Sequence, residues 1–271
     1  MRKTITFTAA CACALIALGT LDAAVIQVDN FDHGDPTLPG WTLFDLSAGQ
    51  PWGPGAYDPT SGALRIYHTG SELVTPGAPF TQTAMFAQWN DSTAALSPFN
   101  QGYWRGQIRI DEPNSNAALE LRADLGTGSG YVMFGGTKSS STNPSLAGTF
   151  QLSKFVNGAE TALWRSGIEY KLGETWNMEV GAVGKRISAK VWKVGDPEPL
   201  DPQYSEIDPS APASGTIAIS ADKILGVTVP ARADATFDNL EFRPVPEPAT
   251  VVLGIVGLGL LAYRRARGPA D

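Results

Sequence analysis

"WNMEVGAVGKRISAKVW", residues 176–192, decides the fold. Trp176, Met178, Val180 and Ala182 fall on one parity, the period of a strand with one buried face. After a Gly184-Lys185 turn, Ile187, Ala189 and Val191 resume the alternation. Two alternating runs joined by a tight glycine-containing turn make an antiparallel hairpin. Trp192 lies on the opposite parity from Ile187, Ala189 and Val191, so it faces away from that strand's apolar side.

The same period recurs on both sides of the hairpin. In "YWRGQIRID" (103–111) the residues Trp104, Gly106, Ile108 and Ile110 alternate with Arg105, Gln107, Arg109 and Asp111. "AALELRA" (117–123) sets Leu119, Leu121 and Ala123 against Glu120 and Arg122, which reads Glu120 as a solvated side chain. With "ALRIYH", "GYVMFG", "GTFQLSKFV", "GTIAIS" and "ATFDNLEF" there are at least nine short strands, separated by Gly, Pro, Asn and Ser turns. Many strands without intervening helical segments predict an all-β, antiparallel sandwich or jelly roll with a single core. No internal period favours a propeller or solenoid. The Pro- and acid-rich stretch at 195–214 predicts an irregular excursion within one domain. In the last strand Ala235 and Phe237 share one parity and Leu240 and Phe242 the other, a phase slip that predicts a bulge at Asp238-Asn239.

The two ends differ from this domain. Residues 1–24 carry Arg2 and Lys3, an apolar stretch over 9–18, and small residues at Ala23 and Ala24, the pattern of a secretory signal peptide. Both cysteines, Cys11 and Cys13, lie within it, so the expected mature chain has no disulfide, thiolate zinc site or cysteine nucleophile. A domain over 25–243 buries enough apolar surface to dispense with disulfides. Residues 244–271 begin with a Pro-Glu-Pro hinge, continue with an apolar run over 249–263 and close on Arg264, Arg265 and Arg267. That run is shorter than the roughly 20 residues of a comfortable transmembrane helix. It is a marginal single hydrophobic helix, and the arginines that follow act as a membrane stop and keep the C-terminus in the cytoplasm.

The cassette Val245-Pro246-Glu247-Pro248, apolar run and basic tail resembles the PEP-CTERM sorting signal of Gram-negative bacteria. The resemblance implies an exosortase-type membrane peptidase as partner. It also implies transient anchoring in the inner membrane, then a place at the cell surface or in the extracellular matrix. The span from Phe31, Asp32 and Trp41 through "FQLSKFVNGAETALW", the 176–192 hairpin and "SGTIAIS" to "ATFDNLEF" resembles the concanavalin A-like or LamG-like jelly roll. That resemblance implies adjacent first and last strands and a structural calcium where they meet, for which Asp29, Asp32 and Asp238 are the candidate ligands. The alternative at Asp238-Asn239 is plain hydrogen bonding of a bulged backbone.

Catalytic signals are weak. Hydrolases of the resembled fold carry a Glu-x-Asp-x-x-Glu strand; the nearest stretch, Glu206 to Ala211, lacks the second glutamate and contains Pro209. His33 and His68 are the only histidines and stand far apart, with no nucleophile elbow or zinc-binding helix. Setting aside the terminal charges leaves about 15 basic against about 25 acidic residues, an excess that argues against nucleic-acid binding. Carbohydrate binding needs only aromatic faces and a few polar groups. Trp52 and Tyr57, in the Gly- and Pro-rich stretch "GQPWGPGAYDP", and Trp192 are the candidates. The reading is a non-enzymatic, exported protein that binds carbohydrate such as exopolysaccharide. Its rivals are a structural or adhesive surface protein and a polysaccharide hydrolase with an unusual carboxylate pair.

Overall fold

A computed structural model describes residues 25–75, 83–90, 100–137, 146–223 and 232–245. The signal segment 1–24, the sorting residues Pro246, Glu247 and Pro248, and the stop residues Arg264, Arg265 and Arg267 lie outside the described residues. Among the described residues no helix is long and apolar enough to cross a membrane.

Val25–Pro244 forms one compact unit. Its described residues form fifteen strands: β1 Ile26–Asp29, β2 Trp41–Asp45, β3 Gly55–Asp58, β4 Leu64–His68, β5 Met85–Trp89, β6 Gly102–Ile110, β7 Ser115–Asp124, β8 Ser129–Thr137, β9 Leu146–Val156, β10 Ala159–Lys171, β11 Thr175–Val183, β12 Arg186–Lys193, β13 Tyr204–Ile207, β14 Thr216–Lys223 and β15 Asp234–Pro244. They form two antiparallel sheets, ordered β13-β12-β11-β6-β15-β4-β3, with β1 also on β15, and β10-β9-β8-β7-β14-β5-β2. The chain is thus an all-β antiparallel sandwich.

The 176–192 hairpin is β11 and β12, in register from Trp176↔Lys193 to Val183↔Arg186. Its inward residues Met178, Val180, Ile187, Ala189 and Val191 meet Trp104, Ile108 and Ile110 of β6 in a single core. Facing them across the sandwich are Leu119 and Leu121 of β7, Tyr131 and Met133 of β8, and Ile217 and Ile219 of β14. The buried Trp104 indole N–H donates to the Ala218 carbonyl of the opposite sheet at 3.1 Å, so its one polar atom is satisfied.

The predicted bulge is present. Register on β6 shifts between Asp238 and Glu241, and Asn239 adopts φ 49°. The slip lets Ala235, Phe237, Leu240 and Phe242 all reach the core despite their mixed parity. It is also a hand-over point: β4 pairs with β15 before the bulge and β1 pairs with it after. Gly106 of β6 lies opposite, and a Cβ there would collide with the Leu240 side chain, so the core row needs its glycine.

Several strands differ from the sequence reading. β1, β2, β3, β5 and β13 are four or five residues long, too short for alternation to stand out. β13 lies inside the predicted excursion, where it pairs with β12 at the edge of its sheet. β10 is a long edge strand whose first half is exposed, and register shifts interrupt its apolar period.

Arg122 is a correction of another kind. At 1 % exposure it is buried, although its parity was read as polar and outward. Its φ of 51° lies at a register shift between Leu121 and Asp124, which turns the side chain from the sheet face toward one end of the sandwich. There the guanidinium donates to the carbonyls of Asn100, Gly184 and Pro212 at 2.7 to 2.8 Å and to that of Ala182 at 3.4 Å. A Cβ at Gly215 would strike the Arg122 backbone, so the glycine leaves room for this turn.

Candidate functional site

The outer face of the β13-to-β3 sheet is closed on itself. Arg105 on β6 donates to Glu179 on β11 at 2.6 and 3.1 Å and to Glu198 at 2.7 Å. Lys190 joins Glu198 at 3.0 Å, and Glu241 lies 3.5 Å from the guanidinium. Burial disfavours the Arg105 charge, yet the Glu179 and Glu198 carboxylates outweigh it and hold the guanidinium above its ordinary range. This network ties the segment after β12 back onto the sheet.

Trp192 faces outward, as its parity predicts, but it is only 9 % exposed. The Arg105 guanidinium lies over the ring, 4.7 Å from its centroid. Trp52, in the Gly- and Pro-rich stretch, is 6 % exposed. Tyr57 is partly buried, packs against the core and donates its hydroxyl to the Phe44 carbonyl at 2.9 Å. Burial raises the Tyr57 phenol well above its usual range. Of the expected ligand-binding residues, Trp52 and Trp192 are buried and Tyr57 partly so, with Arg105 over the Trp192 ring and the Tyr57 hydroxyl on a backbone carbonyl.

Asp29, Asp32 and Asp238 are drawn together at the β1–β15 junction. Burial raises the Asp238 carboxyl, and the charges of Asp32 and Asp29 raise it further. Their oxygens, however, serve donors. Asp29 accepts from the Phe31 N–H at 2.7 Å and the Trp41 indole at 2.9 Å, with His33 at 3.3 Å. Asp238 accepts from the Asn239 backbone and amide at 2.6 and 2.9 Å, and Asp32 accepts from the Asn30 amide at 2.7 Å. Among the described residues no group of three or more acidic, histidine or cysteine side chains is arranged to hold a metal. As arranged here, these oxygens brace the turn after β1 and the bulge in β15. His68 is buried, accepts the Ala233 N–H at 3.1 Å, and is pushed down to about 4 by burial, so it stays neutral.

The candidate site is instead on the outer face of the β10-to-β2 sheet. A cavity of about 600 Å³ is walled by Phe44 and Leu46 near the edge, Phe86 and Gln88 of β5, and Thr216 of β14. A second, of about 260 Å³, runs toward Glu120, Val132 and Phe155. Both share Leu46, Phe86, Asp124 and Leu125, so they make one groove. Outward parity on β2 and β5 brings Phe44 and Phe86 together, since the two are directly paired. Asp124, at the end of β7, accepts from the Gly126 and Thr127 N–H groups at 3.0 and 3.2 Å. The Thr127 hydrogen bonds hold its carboxylate below the usual range, so it is ionised.

Glu120 overturns the reading of a solvated side chain. It is 4 % exposed, and burial pushes its carboxyl up to about 7 against a hydrogen bond from Ser220. Asp222, two residues beyond Ser220 on the same face, is 2 % exposed, and neither carboxylate oxygen has a hydrogen-bond partner. Burial raises Asp222 well above the usual carboxylate range, with Glu120 and Glu160 adding to the effect. Their sequence signal is absent, because an outward glutamate or aspartate in an alternating strand is normally solvated.

The PEP-CTERM protein-sorting motif matches residues 244–267. No curated protein matches the chain. Among solved structures the chain is similar to a mutant of the GH43 protein BlXynB from Bacillus licheniformis, at TM-score 0.50 and 11 % identity over 80 % of this chain and 39 % of that one. It is also similar to the carbohydrate-binding module CBM66 of Bacillus subtilis, at TM-score 0.48 and 15 % identity over 74 % of this chain and 93 % of that one. A third is the exoplasmic/lumenal domain of VIP36 in a Ca2+/Man3GlcNAc-bound form, at TM-score 0.45 and 8 % identity over 78 % of this chain and 86 % of that one. At these identities the likeness concerns the fold. The chain is an all-β jelly-roll-like sandwich that carries a PEP-CTERM sorting motif, the mark of an exported protein processed by an exosortase at the membrane.

Proposed function

We propose that this is a non-catalytic carbohydrate-binding protein of the cell surface or extracellular matrix, with an exopolysaccharide as ligand. The groove on the outer face of the β10-to-β2 sheet is its site. One observation carries this reading: Phe44 and Leu46, both exposed, offer apolar surface beside Gln88, Asp124 and Thr216 in a single open groove. Sugar rings place C–H faces on aromatic surface and hydroxyls on amides and carboxylates. The sorting motif supports a surface destination, where polysaccharide is the abundant neighbour. The test is a glycan array on the full chain in detergent, repeated with Phe44→Ala. Binding that weakens about tenfold in the variant upholds the groove, on the scale of losing one well-placed apolar contact. Binding indifferent to the substitution removes it.

A second reading, glycoside hydrolysis, is favoured by the Glu120 carboxyl on the groove wall, raised to about 7 with Asp222 nearby. A carboxylic acid still protonated near neutrality is what a general acid requires. Release of reducing ends that Glu120→Gln abolishes while binding persists would favour this reading over the first.

A further inference from the structure

The charge of the groove selects among polysaccharides. Its described walls contain two acidic side chains, Glu120 and Asp124, and no lysine, arginine or histidine. Asp124 stands where the two cavities meet. Its Oδ1 accepts from the turn backbone, which fixes the carboxylate in place without neutralising it. Behind Glu120 lies Asp222, whose two buried oxygens lack any hydrogen-bond partner. No ion pair among the described residues involves Glu120, Asp124 or Asp222. The other sheet neutralises its buried acids with Arg105; on this one Glu120 and Asp222 hold protons, and the ionised Asp124 alone sets a negative charge beside an apolar floor.

Resting on the carbohydrate-binding reading, we infer that the groove takes an amino-sugar polysaccharide bearing free, protonated amines, and rejects uronate polymers. The apolar floor of Phe44 and Leu46 receives the ring, and Asp124 receives the ammonium as an acceptor in a charge-assisted hydrogen bond. An anionic polymer meets the same field with the opposite sign, on a chain whose net charge is already −7. A neutral, N-acetylated chain keeps the ring contact and loses the ion pair.

The experiment compares three probes on the full chain in detergent: glucosamine oligomers, N-acetylglucosamine oligomers of equal length, and oligogalacturonate. The free amine is expected to bind about fivefold tighter than its acetylated counterpart, the scale of one partly exposed ion pair. Raising salt from about 20 to about 300 mM should erase most of that preference, because the screening length shrinks below the groove's dimensions. Asp124→Asn keeps the Oδ1 acceptor for the turn and should reduce the amine-to-acetyl ratio to near one, with Glu206→Gln on the distant β13 edge as a charge control that leaves the ratio intact. Equal binding of amine and acetyl forms, tighter binding of the uronate, or a preference that survives Asp124→Asn overturns the inference and leaves the groove standing. Absence of binding to all three, with the strands intact by circular dichroism, defeats the inference and the carbohydrate reading together.

Discussion

The two outer faces of this sandwich treat buried charge in opposite ways. On the face of β6, β11 and β12, Arg105 meets Glu179 and Glu198 and lies over Trp192, so desolvated charges find partners in the fold. On the face of β7 and β14, Glu120 and Asp222 are equally buried and have no cationic partner among the described residues. The first arrangement fastens a loop to a sheet. The second leaves carboxyls that are neutralised by protons, next to a groove large enough for sugar rings. Paired charges make the first face a stabilising one, whereas the second carries buried carboxyls that cost stability beside an open groove.

This contrast can be broken at its strongest point by Arg105→Ala. The change strands Glu179 in a buried site, which should cost about 3 to 5 kcal/mol. A denaturant titration that finds less than about 1 kcal/mol would mean that Glu179 rehydrates and the face is less closed than its geometry states.

The opposite face predicts a pH dependence. The folded Glu120 holds its proton up to about 7, above the ordinary 4.5, so the folded state binds more protons across that window. Stability is therefore greatest below the ordinary value and falls as pH rises through 7, by about 3 kcal/mol from this group. Denaturant midpoints at pH 5 and pH 7.5 measure the fall, and Glu120→Gln should lessen it, with the raised Asp222 supplying what remains. A wild-type protein whose stability rises across this window would contradict the assignment.

The smallest effect is expected from Glu198→Gln. Glu198 is the more exposed partner of Arg105, and its loss should cost no more than about 1 kcal/mol. A thermal melt separates this from Arg105→Ala; equal losses from both would mean that Glu179 is not the member that matters.

Alternation along the chain made much of this fold legible. Residues 176–192 specify β11 and β12 to within one residue at each outer end, because one buried face and a glycine turn leave a single register. The phase slip at Asp238-Asn239 announces the bulge, since four core side chains cannot share one face of an unbroken strand. Short strands such as β1 and β3 escaped notice because four residues carry too little period. The groove was the least legible feature. Alternation tells inward from outward, but it assumes that outward means solvated, and Glu120 and Trp192 are outward and buried. Arg122 defeats it differently, since a register shift two residues from Glu120 sends the next outward side chain to the end of the sandwich. Two of the aromatics that line the groove, Phe44 and Phe86, come from strands far along the chain from the Thr216 wall, a juxtaposition that only the sheet order reveals.

Hydrogen exchange of the full chain with and without a saturating glycan bears on the central claim most directly, because it reports both faces at once. The account predicts new protection in β2, β5 and the turn between β7 and β8, with β12 and the Glu198 segment unchanged. Protection confined to β12 and the Glu198 segment would place the ligand on the closed face and contradict the account.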